Sequence, residues 1–335
     1  MAEQTETAML SEFALIARYF RQQQLAFARD EVILGIGDDC ALLDLPPQHQ
    51  LAVSMDMLLP DIHFPANADP ELLGQRALLV NLSDLAAMGA EPLGFTLGLS
   101  LPAVDADWLE RFAAGLALVA RANACPLIGG DTTRGQLGLC LQVHGKVPAG
   151  QALRRDGARP GDLICVTGTL GDAAAALAMM ENRLAAGVNL SAQESSELLR
   201  AFYQPESRIN AGILLRGVAT AAIDISDGLA ADLVHVLAAS QCGARVNVDR
   251  LPMSTAFAAA IAPAQRTGLQ LGGGDDYELC FTVPAAELET CRQLLLNKGT
   301  SCTCIGEIQD SPGLHWMDGE GRLLDTVYKG YQHFG

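Results

Sequence analysis

Cysteine pairs of the CxxC type are absent, basic residues are scarce, and no apolar run is long enough to cross a bilayer. Each absence excludes something. Nine cysteines, an odd number, do not make a secreted disulfide framework and read as reduced thiols in a cytoplasmic protein. The closest two, Cys302 and Cys304, fall in an apolar, strand-like stretch that suits packing better than metal ligation. With 22 Lys and Arg against 39 Asp and Glu, the net charge of −17 argues against nucleic acid and anionic membrane surfaces as partners. The N-terminus carries Glu3 and Glu6 and has no basic segment followed by an apolar one, so no signal peptide is expected. No stretch approaches the roughly 18 apolar residues of a spanning helix. A GxxxxGK[ST] phosphate loop is missing, Gly145-Lys146-Val147 being the nearest approach, and the six histidines fall in no zinc-binding spacing. Gly35-Ile36-Gly37 opens like a dinucleotide fingerprint but lacks the third glycine, and Asp38 would face the pyrophosphate.

What is there is a 335-residue chain, 50% hydrophobic and 18% charged, long enough for two cores. A short amphipathic helix is expected over Glu12–Phe20, then strands over Val32–Ile36, Ala41–Leu45 and Leu51–Met55. A helix over Pro70–Met88, a strand over Leu93–Leu101, a helix over Asp105–Asn123, and strands over Pro126–Ile128 and Leu137–Val147 follow. This order predicts an α+β N-terminal domain over residues 1–150, with a mixed or antiparallel sheet carrying helices on one face. The Gly-, Arg- and Pro-rich segment Ala149–Asp162 marks a boundary. Beyond it, strands over Leu163–Thr167, Ala221–Ile225, Ala244–Val248 and Tyr277–Val283 alternate with helices, the first starting at Asp172. That alternation predicts an α/β C-terminal domain over residues 151–335.

The chemical signal is a recurring pattern of strand, small residue, aspartate. It occurs at Gly37-Asp38-Asp39, Ser54-Met55-Asp56, Gly129-Gly130-Asp131, Asp224-Ile225-Ser226-Asp227 and Gly273-Gly274-Asp275-Asp276. Taken singly, an Asp after a strand is a turn former or helix cap more often than a ligand. A sixth site, Asn81-Leu82-Ser83-Asp84, lies in an otherwise apolar helix, where a buried carboxylate needs a partner and a solvated one does not. Taken together, the six sites suit a shared site for hard cations, which favour carboxylate and phosphate oxygens. Two like charges 4 Å apart repel by about 4 kcal/mol at an effective dielectric of 20, so these acids would reject a polyphosphate unless divalent cations stood between them. Metal-bridged phosphoryl transfer reconciles an acidic protein with an anionic substrate. Of the isolated residues, His63 is a surface histidine or an anion contact. Arg154 and Arg155 are linker charges or phosphate contacts, and Tyr328 and Tyr331 are packing residues or stack on a flat ligand.

In this order the motifs Gly35–Ala41, Asn81–Gly89, Ile128–Thr133 and Asp224–Leu229 resemble the thiamine-monophosphate kinase family. That family belongs to the superfamily of aminoimidazole ribonucleotide synthetase and selenophosphate synthetase. The likeness runs from Phe13–Phe20 to Tyr328–Phe334. It implies an aminoimidazole ribonucleotide synthetase-like fold, an N-terminal domain that binds ATP and magnesium and dimerises, and a C-terminal domain that completes an active-site cleft. It implies several Mg2+ ions on Asp39, Ser54, Met55, Asp56, Asp84, Asp131, Asp224 and Asp227. ATP would be held by Gly130, Asp131, Arg155 and Ser226, and thiamine monophosphate by His63, Asp275 and Tyr328. Met55 stands where the family commonly carries Thr, and its implied contact is through the backbone carbonyl. Asp275 replaces the usual Glu, and Tyr328 the usual Trp or Phe. Direct in-line transfer to thiamine monophosphate without a catalytic acid or base is the implied chemistry. The alternatives are another ATP-dependent synthetase of the superfamily, which would want a reactive cysteine in an N-terminal glycine-rich loop, and a non-catalytic nucleotide- or cation-binding protein. Cys40 reads as a strand residue, against the first of these.

Overall fold

The computed structural model describes residues 12–22, 24–324, 328, 330 and 331; Glu3, Glu6, Lys329 and Gln332–Phe334 lie outside the described residues. Contacts group the chain into two compact units. One runs up to Asn81 and includes Pro92–Lys146; the other comprises Leu82–Glu91 and the chain from Val147 onward.

In the first unit, α1 (Glu12–Leu15) runs into a π-helical turn at Ile16–Phe20, and two short strands, β1 (Val32–Leu34) and β2 (Leu42–Leu43), pair antiparallel. The four-stranded sheet has the order β3-β6-β4-β5, built from β3 (His49–Leu58), β4 (Glu91–Leu101), β5 (Leu127–Arg134) and β6 (Gly138–Pro148). Its strands β4 and β5 run parallel. Along β6 burial alternates strictly, so Leu139, Leu141, Val143 and Val147 face the core while Gln142 and His144 do not. The helices α2 (Pro70–Ala87) and α3 (Ala106–Ala122) are apolar where they pack, and Asp105 caps α3 by accepting from the Trp108 N–H at 3.1 Å. The division between the units falls inside α2.

Helices α2 and α3 approach each other through glycine. A Cβ on Gly115 would lie 2.0 Å from the Glu71 carbonyl oxygen, and one on Gly74 would lie 2.3 Å from that of Phe112. Behind the sheet, Arg29 Nε binds Glu31 at 2.9 Å and Lys146 binds the same carboxylate. Burial alone would raise the Glu31 carboxyl, but the hydrogen bonds from Lys146 and Arg29 outweigh it and bring it down to about 2.

The second unit holds a six-stranded sheet of order β12-β9-β11-β7-β10-β8. Its strands are β7 (Leu163–Thr167), β8 (Ala221–Asp224), β9 (Gly243–Asn247), β10 (Leu279–Val283), β11 (Cys302–Gln309) and β12 (Gly313–Met317). Neighbours run antiparallel except β9 and β12. Between the strands come α4 (Asp172–Met180), α5 (Ala192–Tyr203), α6 (Ile209–Leu215), α7 (Leu229–Ser240), α8 (Thr255–Ala260), α9 (Pro263–Gly272) and α10 (Leu288–Leu296). Ile164, Val166, Ile223, Leu233, Val246 and Ile305 form the centre of its core. No helix of the described residues is long and apolar enough to cross a membrane.

Two sequence expectations are corrected. Asp56 and Asp131 do not follow their strands but lie within β3 and β5, because ladder pairing extends both strands past the acid. Cys40 is not a strand residue: β2 shrinks to two residues and leaves Cys40 in an exposed bend.

Gly115→Ala should destabilise the protein by about 2 kcal/mol, the usual scale for overpacking, whereas Gly268→Ala, with open space around it, should be neutral or slightly stabilising; denaturant melts of both variants check this. The Glu31 carboxyl titrates lower in the folded state than at its ordinary value of 4.5. Its contribution to stability is therefore complete above about pH 5 and is lost as the pH falls through 2. Glu31→Gln should flatten the stability profile across that acid range and leave no new slope above pH 5.

Candidate active site

In the first unit, the loop after β1 and the strand β5 line one cavity of about 920 Å3. Asp39, Gly130 and Asp131 face it together with Gly35, Gly37, Phe20, Gln142 and His144. Gly130 has a φ of 145°, and a Cβ there would lie 2.0 Å from the Leu97 carbonyl oxygen, so only glycine lets this strand pass beside β4. Burial lowers the His144 pKa and keeps its ring neutral. The cavity has the size of a nucleotide site, and its lining mixes apolar residues such as Phe20 and Leu97 with the carboxylates of Asp39 and Asp131.

On β3, Ser54 and Asp56 share one face and Met55 points to the other, as period-two alternation requires. The Asp56 N–H donates to Asn81 Oδ1 at 3.1 Å, and Asn81 Nδ2 donates to the Ala77 carbonyl at 2.9 Å. A buried asparagine of α2 thus fixes the strand that carries Ser54 and Asp56. His63 follows β3 in a turn where its Nδ1 accepts the Leu59 N–H at 3.1 Å. The proton of the neutral ring therefore sits on Nε2, which can donate to an anion. Arg76 Nε donates to the His63 carbonyl at 3.3 Å and steadies the turn.

In the second unit, Asp84 on α2 and Asp224 at the end of β8 are close enough to interact, with Asp232 of α7 beyond. Burial first, then the charges of Asp84 and Asp232, push the Asp224 carboxyl up to about 7. Burial and the charge of Asp227 likewise push Asp232 up to about 7, although it accepts the N–H groups of Ser226 at 3.0 Å and Asp227 at 3.1 Å. Arg155 lies near enough for its charge to act on Asp232, while Arg154 pairs with Asp156 at 2.6 Å. Asp232 was not among the residues singled out from the sequence. Its signal is its place in the first turn of α7, where a carboxylate can bind the N–H groups of the preceding loop.

The Ile225–Asp227 turn is tied to the glycine-rich segment before β10. The Asp275 N–H donates to the Ser226 carbonyl at 2.8 Å, and the Tyr277 N–H donates to that of Ile225 at 2.8 Å. Asp275 and Tyr277 both hold positive φ, 71° and 49°, and the Tyr277 hydroxyl donates to Asp275 Oδ1 at 2.9 Å. Asp276 and Glu278 alternate to the inner side, onto a separate cavity of about 340 Å3. There Glu278 takes a bidentate pair from Arg208 at 2.5 and 2.6 Å and a hydrogen bond from Thr167 Oγ1 at 2.5 Å. Asp276 Oδ1 accepts the Gly171 N–H at 2.9 Å. Its Oδ2 is buried without a partner among the described residues, and burial pushes this carboxyl far up toward the protonated form. Tyr328 is half-buried and packs edge-on against Trp316, with ring centroids 5.7 Å apart.

The structure thus brings Asp39, Gly130 and Asp131 together around one cavity, and Asp84, Asp224, Ser226, Asp227 and Asp275 around one turn. Among the described residues no three His, Cys, Asp or Glu side chains are grouped as a complete metal cage. The donors at both places are hard oxygens, and at the turn the charges of Asp84 and Asp232 act on Asp224. Such a set fits Mg2+, which keeps waters and phosphate oxygens in its shell and needs only one or two carboxylates from the protein.

The model for AIR synthase related protein, N-terminal domain, matches residues 37–147, and that for the C-terminal domain matches residues 159–317. The fold and site therefore define an AIR synthase related protein. The chain is 48% identical to the thiamine-monophosphate kinase of Escherichia coli (strain K12), over 96% of this chain and 98% of that protein. Superposition on the crystal structure of thiamine-monophosphate kinase from Stenotrophomonas maltophilia K279a gives a TM-score of 0.84 at 44% identity, covering 92% and 96% of the two chains. AaThiL complexed with AMPPCP and TMP gives 0.76 at 27% identity, covering 87% and 89%. The chain belongs to the thiamine-monophosphate kinase family.

Asp232→Ala should remove the acceptor that holds the Ser226 and Asp227 N–H groups, costing about 1–3 kcal/mol. Denaturant melts should report that loss, and 15N spectra should show the Ser226 and Asp227 amides among the most shifted.

Proposed function

We propose that the protein transfers the γ-phosphoryl group of ATP to the phosphate of thiamine monophosphate, giving thiamine diphosphate and ADP. The observation that carries this reading is the crowding of Asp84, Asp224 and Asp232, where burial first and then the charges of Asp84 and Asp232 raise Asp224 to about 7. A cation beside such a group favours its charged form. The likeness to kinases along 96% of the chain supports the same reaction, as does the AMPPCP and TMP bound to AaThiL.

In this reading Asp39, Ser54, Asp56, Asp131 and the Met55 carbonyl hold magnesium in the first unit, and Asp84, Asp224 and Asp227 hold it in the second. Magnesium, when bound, neutralises the phosphate oxygens and so lets two anions approach. Gly130, Asp131, Arg155 and Ser226 bind ATP, with residues 1–150 as the nucleotide- and magnesium-binding domain and residues 151–335 as its complement. His63 donates from Nε2 to the thiamine phosphate. Asp275, held by Tyr277, and Tyr328 take the thiamine. The acceptor oxygen is already anionic at neutral pH, so alignment and charge neutralisation do the work and no phosphoenzyme forms.

A homodimer accompanies this function. Leu51, Val53, Met55 and Met57 are 46–57% exposed along one face of the edge strand β3, an apolar stripe suited to a second copy of the chain. The nine free thiols suit the cytoplasm. One observation favours the synthetase alternative: Cys40 is exposed and lines the nucleotide-sized cavity. Cys40→Ser separates the two, because phosphoryl transfer to thiamine monophosphate should survive it and a thiol-dependent synthetase would not.

Asp84→Asn should keep the fold and lose at least about a hundredfold in kcat, about 3 kcal/mol of transition-state stabilisation. Chromatography of ATP, Mg2+ and thiamine monophosphate after incubation reads it, and near-wild-type turnover would return Asp84 to the solvated-face reading. Val53→Lys should shift sedimentation from dimer to monomer.

A further inference from the structure

Cys302 and Cys304 lie two residues apart on β11, so their side chains share one face of the strand. Antiparallel pairing sets Cys304 directly opposite Cys165 of β7 and sets Cys302 opposite Thr167. The Cys165 thiol reaches both Cys302 and Cys304, and the buried Cys291 of α10 reaches Cys302. Four of the nine cysteines therefore meet on one side of the second unit's sheet. Cys165 and Cys291 are buried, whereas Cys302 and Cys304 are partly exposed. Among the described residues the group does not form a metal cage, which leaves thiol chemistry as what such a cluster can do.

Residues directly opposed on antiparallel strands have Cα atoms about 4.5–5.5 Å apart. That lies inside the roughly 4.4–6.8 Å that a disulfide spans. Cys302 lies on the diagonal from Cys165, at about 7–8 Å, and is the poorer partner. A bulge follows Cys304, where the pairing register shifts before Gly306, so the strand can adjust locally. We propose that Cys165 and Cys304 are a dithiol that hydroperoxides oxidise reversibly to a cross-strand disulfide.

The Cys304 thiolate attacks the terminal peroxide oxygen and the O–O bond breaks. This leaves a sulfenic acid on Cys304 and an alkoxide, or hydroxide, that takes up a proton. Cys165 then attacks the sulfenic sulfur, gives up its proton and displaces hydroxide as water. Two thiols and one hydrogen peroxide yield one disulfide and two waters. The Cys165 thiol, donating to Cys304, lowers the Cys304 pKa to about 6 despite burial, with help from the charges of Arg250 and Arg292. Cys302 is lowered further, to about 4, by donation from Cys165 and Cys291. A thiol titrating near ambient pH attacks faster than one far below it, which favours Cys304 as the nucleophile. Cys165 lies two residues before Thr167 on β7, whose hydroxyl holds Glu278, so the cross-link would reach the glycine-rich segment before β10 through β7.

The test is peroxide treatment of the native protein, alkylation of the remaining thiols, and peptide mapping with and without reductant. A Cys165–Cys304 cross-link that dithiothreitol removes is expected. It should be absent in Cys304→Ser and form within about twofold of the wild-type rate in Cys302→Ser. In Cys165→Ser, dimedone should trap a sulfenic acid on Cys304. The proposal is overturned if Cys165 and Cys304 both stay alkylatable after the exposed Cys40 has been oxidised, or if the cross-link joins Cys302 instead.

Discussion

Repulsion between carboxylates is the constraint on which the rest of this site depends. Asp224 ends a buried strand, Asp84 stands on the helix beside it, and Asp232 sits under the next helix turn. Among the described residues no lysine or arginine pairs with Asp224, and burial first, then the charges of Asp84 and Asp232, push its carboxyl up to about 7. Evolution normally removes such a cluster or pairs it. In the proposed function, its retention favours phosphates that arrive with divalent cations over phosphates alone. The same physics accounts for an enzyme with a net charge of −17 whose proposed substrates are both anions.

The surrounding structure serves to keep these acids in place without neutralising them. Backbone amides do most of this. Asp232 accepts two of them at the Ser226–Asp227 turn, and the Asp275 and Tyr277 amides clamp that turn from the other side. On the first unit, Asn81 performs the same task for β3 by accepting from Asp56. Two non-glycine residues in the left-handed region, Asp275 and Tyr277, mark where the chain is held against its local preference, a strain that functional segments commonly store.

Much of this was legible in the sequence because hydrophobic alternation is a local signal. The strands over Leu163–Thr167 and around Leu93–Leu101 and the helix α2 fall where periodicity puts them, and the helix expected from Asp105 starts one residue later, with Asp105 as its cap. The acids carry a signal in their type and spacing, which is why Asp39, Asp84, Asp131, Asp224 and Asp227 could be singled out. What stayed hidden depends on pairing between distant segments. Nothing local says that β5 continues through Asp131, since that follows from its ladder with β4. Asp232 looks like an ordinary polar residue of a helix until the turn it holds is seen. Asp276 and Glu278 differ from Asp275 only in which way the chain alternates, and the grouping of Cys165 with Cys304 follows from strand register alone.

The central claim is that the phosphate site is completed by divalent cations and is repulsive without them. Calorimetric titration of the protein with AMPPCP, once with millimolar Mg2+ and once with EDTA, tests it most directly. Binding with Mg2+ and loss of at least about a hundredfold in affinity with EDTA, about 2.7 kcal/mol, is the predicted result. Equal affinity in both titrations would mean that the carboxylates do not face the nucleotide, and the account would be wrong.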